Sequence, residues 1–159
     1  MVLDVALGDS YSSGTGTRTF YESTCQRSIY AYPYPLHNAH PEWTFVNATC
    51  SGAKTGDVLN TQVNSVTSAT NWVTYTIGGN DAGFFSVITT CAQPSWASNC
   101  DGAINTAQSY ITNTLPGRLD LVNNAIKSRA PNAKVGESYH PKVTGHASGY
   151  YPVVKGVTG

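Results

Sequence analysis

The chain has 159 residues, enough for one domain with a real core, and no apolar run approaches the ~20 residues that span a bilayer. Formal net charge is +0 and only 11% of residues are charged, so there is no electrostatic footprint for nucleic acid or an anionic membrane. The surface must be built instead from Ser, Thr, Asn, Gly and Tyr, a composition common among secreted proteins.

Val2-Leu3-Asp4-Val5-Ala6-Leu7 is a short run rich in Val and Leu and reads as a strand stopped by Gly8. Gly8-Asp9-Ser10-Tyr11-Ser12 then falls at the carboxyl end of that strand, where open α/β sheets bind ligands. Alone, Gly-Asp-Ser is a turn; Ser10 becomes a nucleophile only if a base and an oxyanion site exist elsewhere. Met1 runs straight into the strand, so the expectation is a mature form with an added start methionine and no signal peptide.

From Thr15 to Pro41 no period is sustained, and a long ordered loop tied down by Cys25 is expected. Its tyrosines at 30, 32 and 34 either line a cleft or pack the loop itself, and His37 and His40 read as surface or packing residues. Trp43-Thr44-Phe45-Val46 is a second strand, Cys50-Ser51-Gly52-Ala53 a loop, and Thr55 or Asp57 caps a helix to about Val66.

Trp72-Val73-Thr74-Tyr75-Thr76-Ile77 is the clearest strand, aromatic and β-branched, and Gly78-Gly79 stops it. Trp43, Trp72, Phe84 and Phe85 read as core. Asp101 caps a long helical stretch whose apolar positions Ile104, Ala107, Ile111, Leu115, Leu119, Val122 and Ile126 mark one buried face. Pro116 must kink or restart it. Ala133-Lys134-Val135 opens another strand, and the tail from Pro141 reads as a last short helix. Strands separated by helices predict a single α/β domain over residues 1–159, a parallel sheet covered on both sides.

Cys25, Cys50, Cys91 and Cys100 form no close Cys-x-x-Cys pair, and no histidine sits at ligand spacing, which argues against zinc. An even count in a polar, low-charge chain favours two disulfides and an oxidising compartment. Of the three possible pairings, Cys25–Cys50 and Cys91–Cys100 is favoured, because the segment from Cys91 to Cys100 reads as one closed loop. Asn47-Ala48-Thr49 is the one glycosylation acceptor pattern, relevant in a eukaryotic source.

Three strand ends carry suggestive residues. The first offers Ser10; the loop after the second offers Gly52, whose N–H is unshielded by a side chain; the third offers Gly78-Gly79-Asn80-Asp81. Glu137-Ser138-Tyr139-His140-Pro141 adds an imidazole with a carboxylate three residues before it. A nucleophile, oxyanion donors and a base together point to acyl transfer. Asp9 and Asp81 adjoin site residues and read as loop-shaping hydrogen-bond partners.

Gly8-Asp9-Ser10, Gly52, Gly79-Asn80-Asp81, and His140-Pro141 followed by Gly145-His146, in that order, resemble the SGNH (GDSL) hydrolases, closest to secreted lipase- and esterase-like members. The resemblance covers nearly the whole chain. It implies a flavodoxin-like three-layer α/β/α sandwich with a small, mostly parallel sheet. It implies Ser10 as nucleophile, His140 as general base and acid, and an oxyanion hole from the Ser10 and Gly52 amides and the Asn80 side chain, with no cofactor and no metal. The expected substrate is a small-molecule, lipid or sugar ester, hydrolysed through an acyl-serine by a secreted monomer. His146 resembles the family's second, structural histidine. Two departures stand out: Glu137 occupies the place of the usual aspartate, so that either Glu137 or a backbone carbonyl orients His140, and Gly136-Glu137 follows Lys134-Val135 at once, where members carry a further strand and helix. The Gly-x-Ser-x-Gly signature of α/β-hydrolases is absent, since Ser12 stands where it needs glycine. The alternative expectation is a catalytically weak or inactive relative that binds a glycan or lipid through its tyrosine-rich loop.

Overall fold

A computed structural model describes residues 1–136; Glu137, His140, His146 and the tail from Pro141 lie outside the described residues. Four parallel strands, β1 (Leu3–Gly8), β2 (Thr44–Asn47), β3 (Trp72–Thr76) and β4 (Lys134–Gly136), lie in the order β2-β1-β3-β4. The chain leaves β1 for β2 on one side and returns to β3 on the other. That reversal opens a crevice at the carboxyl ends of β1 and β3, the place where doubly wound sheets bind ligands.

Among the described residues six helices accompany the sheet: α1 (Ser10–Ser13), α2 (Pro33–Asn38), α3 (Thr55–Asn60), α4 (Phe84–Cys91), α5 (Cys100–Asn113) and α6 (Leu115–Arg129). Alternation along the strands sends Val5, Leu7, Val73, Tyr75 and Ile77 to one face, where they pack with Val58 of α3, Val63 and Val66 beyond it, and Val122 and Ile126 of α6. Asp4, Phe45 and Trp72 stand side by side on the other face, and α2 covers it by stacking His37 on Phe45 and setting Tyr34 edge-on against the same ring. The layers are therefore helix, sheet, helix, the α/β architecture expected.

Asp4 is fully buried in that second layer, and among the described residues neither carboxylate oxygen has a hydrogen-bond partner. Burial pushes its carboxyl above the usual aspartate range, partly opposed by His37. His40 stacks on Trp43, which stacks on Trp72, so both loop histidines are packing residues.

Several local expectations need correction. The long helical stretch is two helices: Pro116 sits in the first turn of α6, where its missing N–H costs nothing, and Thr114 breaks the run. Asn99, not Asp101, caps α5, its side chain accepting the Gly102 N–H at 2.9 Å. Only Leu115, Val122 and Ile126 of the proposed face are buried, and Ile111 is exposed. The reason is that α5 packs on α4 and α6 rather than on the sheet. The helix after Thr55 stops at Asn60 and continues as a 3-10 turn over Gln62–Ser65; Lys54 is its cap, with Asp57 accepting the Lys54 N–H at 2.8 Å. Phe84 and Phe85 are not core: they are 62% and 73% exposed on α4. The 15–41 loop contains α2, started by Pro33 at its first turn.

Candidate active site

Gly8 ends β1 in a left-handed conformation (φ 121°) that brings its backbone against β3; a Cβ there would overlap the Thr76 carbonyl oxygen. Gln62 pairs with both backbone groups of Gly8, its Oε1 accepting from the Gly8 N–H at 2.6 Å and its Nε2 donating to the Gly8 carbonyl at 3.0 Å. With the strand end held this way, Asp9 caps α1 by accepting the Tyr11 N–H at 3.1 Å, and Ser10 opens that helix half-buried.

Beneath Ser10 lies a buried polar network. The Thr76 hydroxyl donates to Asp9 Oδ1 at 2.9 Å and lies 2.6 Å from Ser12 Oγ, which accepts the Thr76 N–H at 3.2 Å and lies 3.2 Å from Tyr32 Oη. Burial raises the Asp9 carboxyl above its ordinary value, the Thr76 and Tyr11 donors oppose the rise, and the Asp81 charge adds to it. Asp9 is thus a shaping residue, as read from sequence.

The Gly52 loop reaches the same edge. The Cys50 N–H donates to the Gly8 carbonyl at 2.9 Å, the Ser51 N–H to the Cys25 carbonyl at 3.0 Å, and the Thr15 hydroxyl to Ser51 Oγ at 2.9 Å. The Cys25–Cys50 disulfide and the Arg27 Nε donation to the Thr49 carbonyl (2.8 Å) fasten it from behind. Gly52 itself is exposed with φ 83°, in open space. Both expected disulfides are present, the second being Cys91–Cys100.

Asn80 follows β3, half-buried, and its amide donates to the Ala53 carbonyl at 2.9 Å, one residue beyond Gly52. Asp81 completes the joint by accepting both the N–H (2.9 Å) and the hydroxyl (2.6 Å) of Thr55. Ser10, Gly52 and Asn80 are therefore tied to one edge of the sheet by linked hydrogen bonds. His140 and Glu137 lie outside the described residues. Reading the sequence missed Gln62, a lone Gln in a polar run with no motif around it, and the partnership of Thr55 with Asp81.

Of the tyrosines, Tyr30 and Tyr32 line a cleft beside Ser10, whereas Tyr34 packs edge-on against Tyr21 and Phe45. Its phenol is pushed up to about 12 by burial and the Tyr21 hydrogen bond. Asn47 is engaged locally: its amide donates to Tyr21 Oη at 3.1 Å and its carbonyl accepts the Thr49 hydroxyl at 2.6 Å, with Thr49 fully buried. Among the described residues no group of three or more His, Cys, Asp or Glu is placed to hold a metal, and no helix is long and apolar enough to cross a membrane.

Comparison with known proteins places this arrangement in a lineage. The sequence model of the GDSL-like Lipase/Acylhydrolase family matches residues 6–156. Lipase 1 of Streptomyces coelicolor is 50% identical over 133 residues, 82% of this chain and 49% of that protein. The extracellular lipase of Streptomyces rimosus superposes with a TM-score of 0.79 at 47% identity, over 85% of this chain and 58% of that one. Phospholipase A1 from Streptomyces albidoflavus gives 0.79 at 46% identity, over 84% and 57%. The chain spans about half the length of the curated relatives it matches. A family match over nearly all of the chain, together with a shared fold, settles its descent: the chain belongs to the GDSL-like lipase/acylhydrolase family.

Proposed function

We propose that the chain is a secreted serine esterase of lipase type, hydrolysing carboxylic esters through an acyl-serine. The observation that carries this reading is the linkage of the Ser10, Gly52 and Asn80 segments at the β1–β3 crevice: the Cys50–Gly8 bond joins the Gly52 loop to the strand end before Ser10, and the Asn80–Ala53 and Asp81–Thr55 bonds join it to the Asn80 loop. Ser10 Oγ attacks the ester carbonyl while His140 takes its proton. The oxyanion is met by the Ser10 and Gly52 N–H groups and by the Asn80 amide, which keeps one N–H after serving Ala53. The alkoxide leaves with the proton from His140, and water repeats the cycle on the acyl group. Glu137 orients the imidazole. Relatives named as lipases and as an extracellular lipase support both the reaction class and secretion, and two disulfides fit an oxidising compartment.

The test is covalent. A fluorophosphonate probe should label Ser10, and the wild type should turn over a soluble acetyl ester; Ser10→Ala should lose both. A folded wild-type protein that neither labels nor hydrolyses any ester favours the alternative, a binding relative that uses its tyrosine-rich loop.

A further inference from the structure

A cleft of about 340 Å³ opens beside Ser10, walled by Tyr11, Tyr30 and Tyr32, with Gly14 and Gly16 also in its lining. That volume is at the lower end of the roughly 300–1,000 Å³ typical of small-molecule sites, room for one modest group rather than a whole glyceride. Among the described residues none in its lining is charged, and neither Gly52 nor Asn80 takes part. The cleft therefore shares the nucleophile with the oxyanion donors while offering a chemically different wall. Tyr32 Oη, 3.2 Å from Ser12 Oγ, anchors that wall to the network under Ser10.

The two glycines differ. Gly14 adopts φ 98°, and a Cβ there would lie 2.9 Å from both the Ala31 and the Ser28 Cβ atoms, so backbone and packing demand glycine. Gly16 is not in the left-handed region, and a Cβ there meets no atom of the described residues within 4 Å. No conformational requirement explains glycine at 16; what its missing side chain provides is space.

On the esterase reading above, we propose that this tyrosine cleft is a specificity pocket for an uncharged, apolar substituent of the ester, and that Gly16 sets its reach. Aromatic walls without charge favour an alkyl or aryl group and give a charged headgroup no counter-ion. The substituent comes from the acyl or from the alcohol side of the ester.

Gly16→Leu places a branched side chain in the open space, and two substrate pairs distinguish the sources. The kcat/KM ratio of octanoyl to acetyl esters of one alcohol reads the acyl side. The ratio of benzyl to methyl esters of one acid reads the alcohol side. One of these ratios should fall about tenfold or more, the scale on which pockets discriminate apolar groups. Tyr30→Ala, which removes an exposed ring, should shift the same ratio, and Ser68→Leu, exposed on the loop before β3, should move neither. Both ratios within twofold of wild type in Gly16→Leu and in Tyr30→Ala would overturn the pocket. If the wild type turns over no ester, the acyl-serine reading fails, and NMR titration with octanamide and with benzyl alcohol decides the pocket alone. Saturable shifts of the Tyr11 and Tyr30 rings, weakened in Gly16→Leu, support it; no saturable shift in the wild type overturns it.

Discussion

Replacing Asp81 by Asn keeps the size of the side chain and changes what it offers Thr55. The carboxylate accepts two donors, the Thr55 N–H at 2.9 Å and its hydroxyl at 2.6 Å. An amide has one oxygen for them and turns an NH2 toward the other. One charge-assisted hydrogen bond is lost, about 1.5–3 kcal/mol, at a fully buried threonine. For a chain of this size that corresponds to a fall in Tm of roughly 3–12 °C. The loss falls on the joint between the Gly52 loop and the Asn80 loop, and the two relieve it by separating. Since ~1 Å of misplacement costs about 10²-fold in rate, kcat should drop about ten- to a hundredfold with KM within about threefold. The assay is steady-state hydrolysis of a soluble acetyl ester well below the variant's melting point, with Thr55→Ser, which keeps both donors, as the conservative partner. A lowered Tm with unchanged kcat would refute the reasoning: the joint would then stabilise the fold without setting the site.

Two further predictions concern stability. Removing Cys25–Cys50 as a Ser pair should cost roughly 3.5 kcal/mol and removing Cys91–Cys100 roughly 2.6 kcal/mol, because loop-closure entropy grows with the separations of 25 and 9 residues; denaturant midpoints measure both, and the reverse order would sink the entropic account. Asp4→Asn should stabilise the protein at neutral pH. The folded carboxyl titrates above the ordinary ~3.9 of an unfolded aspartate, so its contribution is present in acid and lost as pH rises through the raised value. The gain of the Asn variant, followed by Tm from acid to neutral pH, should therefore shrink toward acid; a gain that grows toward acid contradicts it.

What was legible in the sequence was whatever a single segment states. Val5 and Leu7 before Gly8, and Trp72 to Thr76 before Gly78-Gly79, announce strands and their ends, and the order of short motifs announces the family. Less legible was what a helix face touches: the periodicity from Ile104 to Ile126 is real, yet α5 packs on other helices, so Ile111 stays exposed. Phe84 and Phe85 were misjudged for a related reason, since hydrophobicity does not reveal which side of α4 meets α5. Gln62 was invisible because its role rests on a partner, Gly8, reached only through the fold. Asp81 was read correctly as a shaping residue, but its partner Thr55 had no local signature.

The bonds that position Ser10 join residues far apart in sequence. Gly8 to Gln62 spans 54 positions, Ser12 to Thr76 spans 64, and Asp9 to Thr76 spans 67. Closing such loops has an entropy cost that only completed tertiary contacts offset. Until those contacts form, Ser10 stands at the end of β1 without the bonds that fix its surroundings. On the esterase reading proposed above, hydrolysis begins only after β3 docks beside β1, so a chain whose β3 has not yet docked is chemically silent toward esters.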